Sequence, residues 1–279
     1  MYRVLVPVDS NTNRARHQAQ YVARLPDADS AVAATVLHVA PPDRFTAGDE
    51  VSFSAIDSAA TAAEELERAG VEVTRRADGG SVSRAIVDAV TDVDADEVVM
   101  GGRKRSGVTT VLLGSTVQDV LLSTERPVTV TGDGVSLGEG TRKVLVPVDG
   151  HEERARQQAR YVAGLPGDPS AVEATVFYVF RHQDYTGAPS HELGALRNEF
   201  ADVDSAVMAA EMLDDAGVTV ERVAEGGEVA RRILRAAEDR TVDGIVMGGR
   251  KRSGVQKVLL GSTVRDVLLS AERPVTLTG

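Results

Sequence analysis

A chain of 279 residues with a formal charge of −11 and a sequence pI near 5.0 has too acidic a surface to attract nucleic acid or anionic membrane, since both require Lys and Arg to neutralise phosphates. It contains no cysteine, which excludes disulfides, thiol catalysis and Cys-zinc sites. Hydrophobic residues make up 42% but aromatic ones only 4%, so the core is built from Val, Leu, Ile and Ala, the usual filling of a parallel sheet covered by helices.

The chain opens directly on a strand pattern, and no apolar run approaches the roughly 20 residues of a bilayer span. It reads as soluble and cytoplasmic. Lysine occurs only at Lys104, Lys143, Lys251 and Lys257. Scarce lysine on an acidic surface suits concentrated salt, where screening cancels self-repulsion, although an acidic cytosolic protein has the same composition.

Alternating apolar runs and helical spacings predict a strand at 3–8, a helix at about 12–25, and a strand at 32–39. A helix at about 52–69, a strand at 71–77 and a helix at 81–91 follow. A strand at 96–101, a helix at 114–123 and a strand at 127–131 complete the unit. The unit then repeats. Arg3-Val-Leu-Val-Pro-Val-Asp9 returns as Lys143-Val-Leu-Val-Pro-Val-Asp149, and Val98–Gly132 returns almost unchanged as Ile245–Gly279. The offset grows from 140 to 147, so the second copy carries an insertion of about 7 residues, expected in a longer surface loop at Arg181–His191. Expected boundaries are 1–132 and 141–279, with the glycine-rich stretch 133–140 as a flexible linker. Strand–helix alternation at this spacing predicts an α/β fold, with a parallel sheet, helices on both faces and right-handed crossovers.

In such sheets ligands bind beyond the carboxyl ends of the strands, where strand order reverses. Asp9 and Asp149 follow the first strand of each copy, and Val39 and Val179 close the second. Met100-Gly-Gly-Arg-Lys-Arg-Ser-Gly107 and Met247-Gly-Gly-Arg-Lys-Arg-Ser-Gly254 follow the fourth. Gly101 and Gly102 permit a sharp turn and close approach of backbone to a ligand, and Arg103, Lys104 and Arg105 bring positive charge to the mouth. Gly114-Ser115-Thr116 then opens a helix whose free N–H groups favour an anion. Ser115 either caps that helix or bonds a phosphate oxygen. A glycine-rich turn with a solvated basic rim and an ordinary serine cap has the same residues.

These residues resemble the universal stress proteins, whose nucleotide-binding members carry Gly, two residues, Gly, nine residues, then Gly-Ser or Gly-Thr. Here Gly101 and Gly114-Ser115 match, with Lys104 in place of the second Gly; Gly248, Lys251 and Gly261-Ser262 repeat the pattern. The resemblance covers both copies nearly end to end, including Val-Pro-Val-Asp9 and Leu-His-Val39. It implies a tandem, haloarchaeal member with two Rossmann-like five-stranded parallel sheets of order 3-2-1-4-5. It implies ATP or AMP as ligand, with Pro7, Asp9, Val39 and Met100 at adenine and ribose and Gly101, Gly114, Ser115 and Thr116 at the phosphates. The Lys104 ammonium is then a point charge for a phosphate. The second-copy equivalents are Pro147, Asp149, Val179, Met247, Gly248, Lys251, Gly261, Ser262 and Thr263. A magnesium ion is expected near Asp9 and Asp149, and an internal pseudo-dimer through Pro127–Thr131 and Pro274–Thr278, with two chains associating further.

The expected role is a stress-response sensor or regulator; a non-binding interaction scaffold and a slow ATP hydrolase are the alternatives. Hydrolysis is least favoured, because the motif offers no general base. The five histidines, His17, His38, His151, His182 and His191, show no metal-ligand spacing. The polar entry Ser10-Asn-Thr-Asn13 contrasts with Gly150-His-Glu-Glu153, whose acids repel phosphates if they face the cleft, so copy one is expected to bind the more tightly.

Overall fold

A computed structural model of the chain describes residues 1–41, 53–104, 111–132, 140–180, 200–249 and 260–279. The expected insertion loop Arg181–His191, linker residues 133–139, Arg105 and Lys251 lie outside the described residues.

The first half runs β1 (Tyr2–Val8), α1 (Thr12–Ala23), the one-turn α2 (Ala28–Ala31), β2 (Val32–Ala40), α3 (Asp57–Arg68), β3 (Glu72–Gly79) and α4 (Val82–Asp92). It continues with β4 (Glu97–Gly101), the short β5 (Arg103–Lys104) and β6 (Val111–Leu112), α5 (Ser115–Ser123) and β7 (Val128–Thr131). The second half follows the same plan. It comprises β8 (Arg142–Val148), α6 (Glu152–Ala163), β9 (Val172–Phe180), α7 (Asp204–Asp215), β10 (Thr219–Gly226), α8 (Val229–Asp239), β11 (Gly244–Gly248), α9 (Ser262–Ser270) and β12 (Val275–Thr278). The helix expected at 52–69 is divided into a 3-10 turn, Phe53–Ala55, and α3.

Strand order is β3-β2-β1-β4-β7 in the first half and β10-β9-β8-β11-β12 in the second. Pairing within each half is parallel, as the resemblance implied. The halves meet where β7 pairs antiparallel with β12, Thr129 standing opposite Thr276, so that one ten-stranded sheet crosses the whole molecule.

Because both faces of the sheet are covered, its central strands are apolar on both sides. Alternation sends Val4 and Val6 of β1 toward α1 and α3, with Ala15, Ala19, Ala62 and Leu66. Leu5, between them, joins Leu37, Ile86, Val98 and Val120 under α4 and α5. Small alanines on α1 and α3 allow those helices to lie close to the sheet and to each other. No described helix is long and apolar enough to cross a membrane.

Candidate functional site

β1 and β4 pair only through Val4–Glu97 and Leu5–Val98, and then diverge. This opens the crevice where strand order reverses. Divergence deprives the carbonyls of Pro7 and Val99 of ladder partners, and an unpaired buried carbonyl is costly. Gln18 supplies the donor. It lies on the buried stripe of α1 with Ala15, Ala19 and Val22, and its Nε2 donates to Pro7 O and to Val99 O, both at 2.8 Å. Gln158 does the same in the second half, to Pro147 O at 2.7 Å and Val246 O at 2.8 Å.

At the carboxyl end of β1, Asp9 accepts from the Asn11 amide at 2.9 Å, turning the chain into α1. Asn11 caps that helix, its side chain accepting from the Arg14 amide at 2.9 Å. The Arg14 guanidinium reaches back to donate to the Asp9 carboxylate. Ser58 of α3 fixes the same corner by donating to Asp9 O at 2.5 Å, and His38 Nδ1 lies 3.2 Å from Val8 O. In the second half Asp149 accepts from the His151 amide at 3.1 Å and from Arg154, with Ser205 donating to Asp149 O at 2.6 Å.

Arg14 also explains Gly101. A Cβ there would stand 3.2 Å from Arg14 Cβ and 3.1 Å from Gln18 Oε1; at Gly248 it would stand 2.9 Å from Arg154 Cβ. A Cβ on Gly102 would come within 2.9 Å of Thr131 O, the carbonyl that accepts from the Gly102 amide at 2.7 Å. Neither Gly101 nor Gly102 has a positive φ. The expectation of glycines serving a sharp turn is therefore corrected: both serve close packing, one beneath α1 and one against β7. The crevice thus brings together Asp9, Gly101 and an arginine that sequence reasoning passed over. A signal for it existed, since Arg14-Ala-Arg-His-Gln18 returns as Arg154-Ala-Arg-Gln-Gln158.

Met100 and Met247 are buried at the ends of β4 and β11, as are Pro7 and Pro147 beneath the crevice. Beyond Gly102, β5 pairs antiparallel with β6, Lys104 opposite Val111. The backbone at Lys104 is extended, so a lysine carries no left-handed strain there. Helix α5 follows with Gly114 as its N-cap, at φ −61° and ψ 151°, and no side-chain cap. Ser115 is the first helical residue and Gly114 the N-cap, so of the two roles open to Ser115 the cap is not taken. Gly261 and Ser262 have the same places in α9. The amides of Ser115, Thr116 and Val117 accordingly lack intrahelical acceptors. No described residue lies within 4 Å of the position a Gly114 Cβ would take, so packing among the described residues does not demand glycine there. Ser115 and Ser262 are exposed, with Thr116 and Thr263 half-buried beside them.

Val39 and Val179 are buried one residue beyond the last β1–β2 and β8–β9 pairs, Val8–His38 and Val148–Tyr178. Ala40 O accepts from Gly80 on the β3 side. Alternation turns the backbone groups of Val39 the other way, past the end of β1.

The donor set does not fit a magnesium ion held by protein alone. No group of three or more His, Asp or Glu suited to a metal occurs among the described residues, and Asp9 already serves Arg14 and the Asn11 amide. It fits a phosphate-bearing ligand better, through the helix start and the guanidinium. The two crevices differ at their rims: the first turn of α1 has no acid, whereas that of α6 carries Glu152 and Glu153.

Comparison with known proteins agrees with this architecture. The chain is 28% identical over 145 residues to universal stress protein YxiE of Bacillus subtilis, covering 48% of this chain and 97% of that one. It is 26% identical over 137 residues to universal stress protein MJ0531 of Methanocaldococcus jannaschii, covering 48% of this chain and 79% of that one. A crystal structure of a universal stress protein from Archaeoglobus fulgidus superposes with a TM-score of 0.71 at 24% identity, covering 99% of this chain and 97% of the other. The sequence profile of the universal stress protein family matches twice, over residues 1–132 and 140–279. The chain belongs to the universal stress protein family, as two copies in tandem.

Proposed function

We propose that each half binds an adenine nucleotide, ATP or AMP, in its crevice, and that occupancy regulates what the protein associates with under stress. The observation that carries this reading is the uncapped start of α5, preceded by a glycine that packing among the described residues does not require and set at the same carboxyl end of the strands as Arg14. Phosphates take the amides of Ser115 and Thr116. Lys104 adds charge in the first half, and Lys251 is its equivalent in the second. Adenine and ribose lie toward Pro7, Asp9, Val39 and Met100, and in the second half toward Pro147, Asp149, Val179 and Met247. Gly101 and Gly248 close the floor. Asp9 and Asp149 are the carboxylates that would meet a magnesium ion carried by the phosphates, in competition with Arg14 and Arg154.

Calorimetry with ATP and AMP in concentrated potassium chloride, together with extraction of nucleotide from purified protein, tests this. Binding heat or co-purified nucleotide that Asp9→Ala and Asp149→Ala weaken is the expected result. No heat and no nucleotide would overturn it. One observation favours the scaffold alternative: Arg14 and Arg154 already neutralise the crevice carboxylates within the chain. Under that reading Arg14→Ala and Arg154→Ala alter partner association while no nucleotide binds. Phosphate release from ATP tests the hydrolase alternative.

A further inference from the structure

The seam between β7 and β12 hides a polar cluster that the two copies do not share equally. Glu97, at the start of β4, is wholly buried. Its carboxylate accepts from the Tyr2 hydroxyl at 3.0 Å, from the Tyr21 hydroxyl at 3.1 Å, and from Thr129 Oγ. Across the seam Thr129 Oγ lies 2.6 Å from Thr276 Oγ, and the Tyr21 hydroxyl 3.4 Å from that of Tyr161. The sequence offsets make Thr276 the counterpart of Thr129, and Tyr161 the counterpart of Tyr21. The counterparts of Glu97 and Tyr2, however, are Gly244 and Arg142. Arg142 is buried, its guanidinium 4.7 Å above the Tyr21 ring of the other half, with Nη1 donating to Arg24 O at 3.4 Å and Nε without a partner among the described residues. Its Nη2 stands 3.9 Å from the position a Gly244 Cβ would take, in the space a second glutamate would need.

Counting protons shows what this asymmetry does. Each hydroxyl has one proton to donate. Thr129 and Tyr21 give theirs to Glu97, so across the seam they must accept, from Thr276 and Tyr161. Those two are free to donate because their own half has no carboxylate. If two first halves met in the same geometry, both threonines and both tyrosines would spend their protons on their own glutamates. Lone pairs would then face each other, with two buried carboxylates and no arginine. If two second halves met, two buried guanidinium groups would share no carboxylate.

We propose that the seam is keyed: a first half accepts a second half, of its own chain or of another copy of this chain, and rejects another first half. The same holds in reverse for the second half. Any exchange of halves between chains therefore joins unlike halves.

Four full-length variants test this, read by amide exchange at Val128–Thr131 and Val275–Thr278, with Val32–Ala40 and Val172–Phe180 reporting that each half is folded. Arg142→Tyr with Gly244→Glu gives both halves the glutamate set. Tyr2→Arg with Glu97→Gly gives both the arginine set. All four changes together exchange the sets, and Glu97→Gln with Arg142→Met removes both charges without creating a like pair. The two like-with-like chains are expected to exchange about a hundredfold faster at the seam than the native chain. The exchanged and neutral chains should stay within about tenfold of it. Acidification that protonates both carboxylates restores the seam in the first chain, where Tyr2, Tyr21, Tyr161 and Thr129 face Glu97 and Asp96 acts on Tyr2. It does not restore the seam in the second. Native-like protection in either like-with-like chain would overturn the proposal, as would loss of the seam in the exchanged or the neutral chain.

Discussion

Replacing Gln18 by leucine should weaken the first half far more than the loss of one exposed amide would suggest. The side chain is 2% exposed, and one nitrogen serves two buried carbonyls at 2.8 Å each. Leucine fills nearly the same volume but leaves Pro7 O and Val99 O without a donor. A buried polar group stripped of its partner costs about 1–3 kcal/mol, and the added apolar contact returns a fraction of that. The expected net loss is about 3 kcal/mol. Gln18→Glu sharpens the test, because it keeps the shape and turns an acceptor toward two acceptors; at neutral pH it should cost at least as much. Urea unfolding followed by far-UV circular dichroism measures both, with Gln158→Leu as the matching change in the second half. Amide exchange along β1 and β4 should rise before the rest of the sheet is affected. A leucine variant within about 1 kcal/mol of the native chain would refute the accounting.

Other consequences can be checked separately. Burial pushes the Glu97 carboxyl above its usual range, against the hydrogen bonds from Thr129, Tyr2 and Tyr21 and the attraction of Arg142. Its contribution to stability is therefore complete below the ordinary carboxylate range and declines as pH rises toward its elevated value. Glu97→Gln lacks that decline, so thermal unfolding from pH 4 upward should show the variant gaining on the native chain; parallel curves would contradict this. Gly102→Ala pushes a methyl within 2.9 Å of a backbone carbonyl and should cost about 1–3 kcal/mol in a melting experiment. If the α6 acids face the second crevice, Asp9→Ala should lose more nucleotide affinity in calorimetry than Asp149→Ala; equal losses would remove the argument from Glu152 and Glu153.

Much of the fold was legible because local patterns carry it. The apolar runs at Val4-Leu-Val and Val98-Val-Met100 became strands within two residues of their expected limits. The strand order came from resemblance, since periodicity alone does not rank neighbours in a sheet. Tertiary pairing is where local reading ended. Gln18 looked like an ordinary helical polar residue, because its two acceptors lie 11 and 81 residues away. Glu97 opens an apolar strand run, and nothing local marks it as the carboxylate around which the seam is organised. Arg142 acquires its role from a tyrosine in the other copy, which no local pattern points to. Of the two roles open to Ser115, the cap falls to Gly114, because glycine takes the extended backbone of the N-cap as readily as serine does.

The antiparallel meeting of β7 and β12 has a geometric consequence for signalling. Strands of the first half point one way along the common sheet and those of the second half point the other, so the two crevices open at opposite ends of it. A single small ligand cannot bridge them. The two halves are joined through the four-residue strands at the middle and the Tyr21, Tyr161 and Arg142 contacts beside them. The protein is in this sense a two-ended object, with a separate crevice at each end of the sheet.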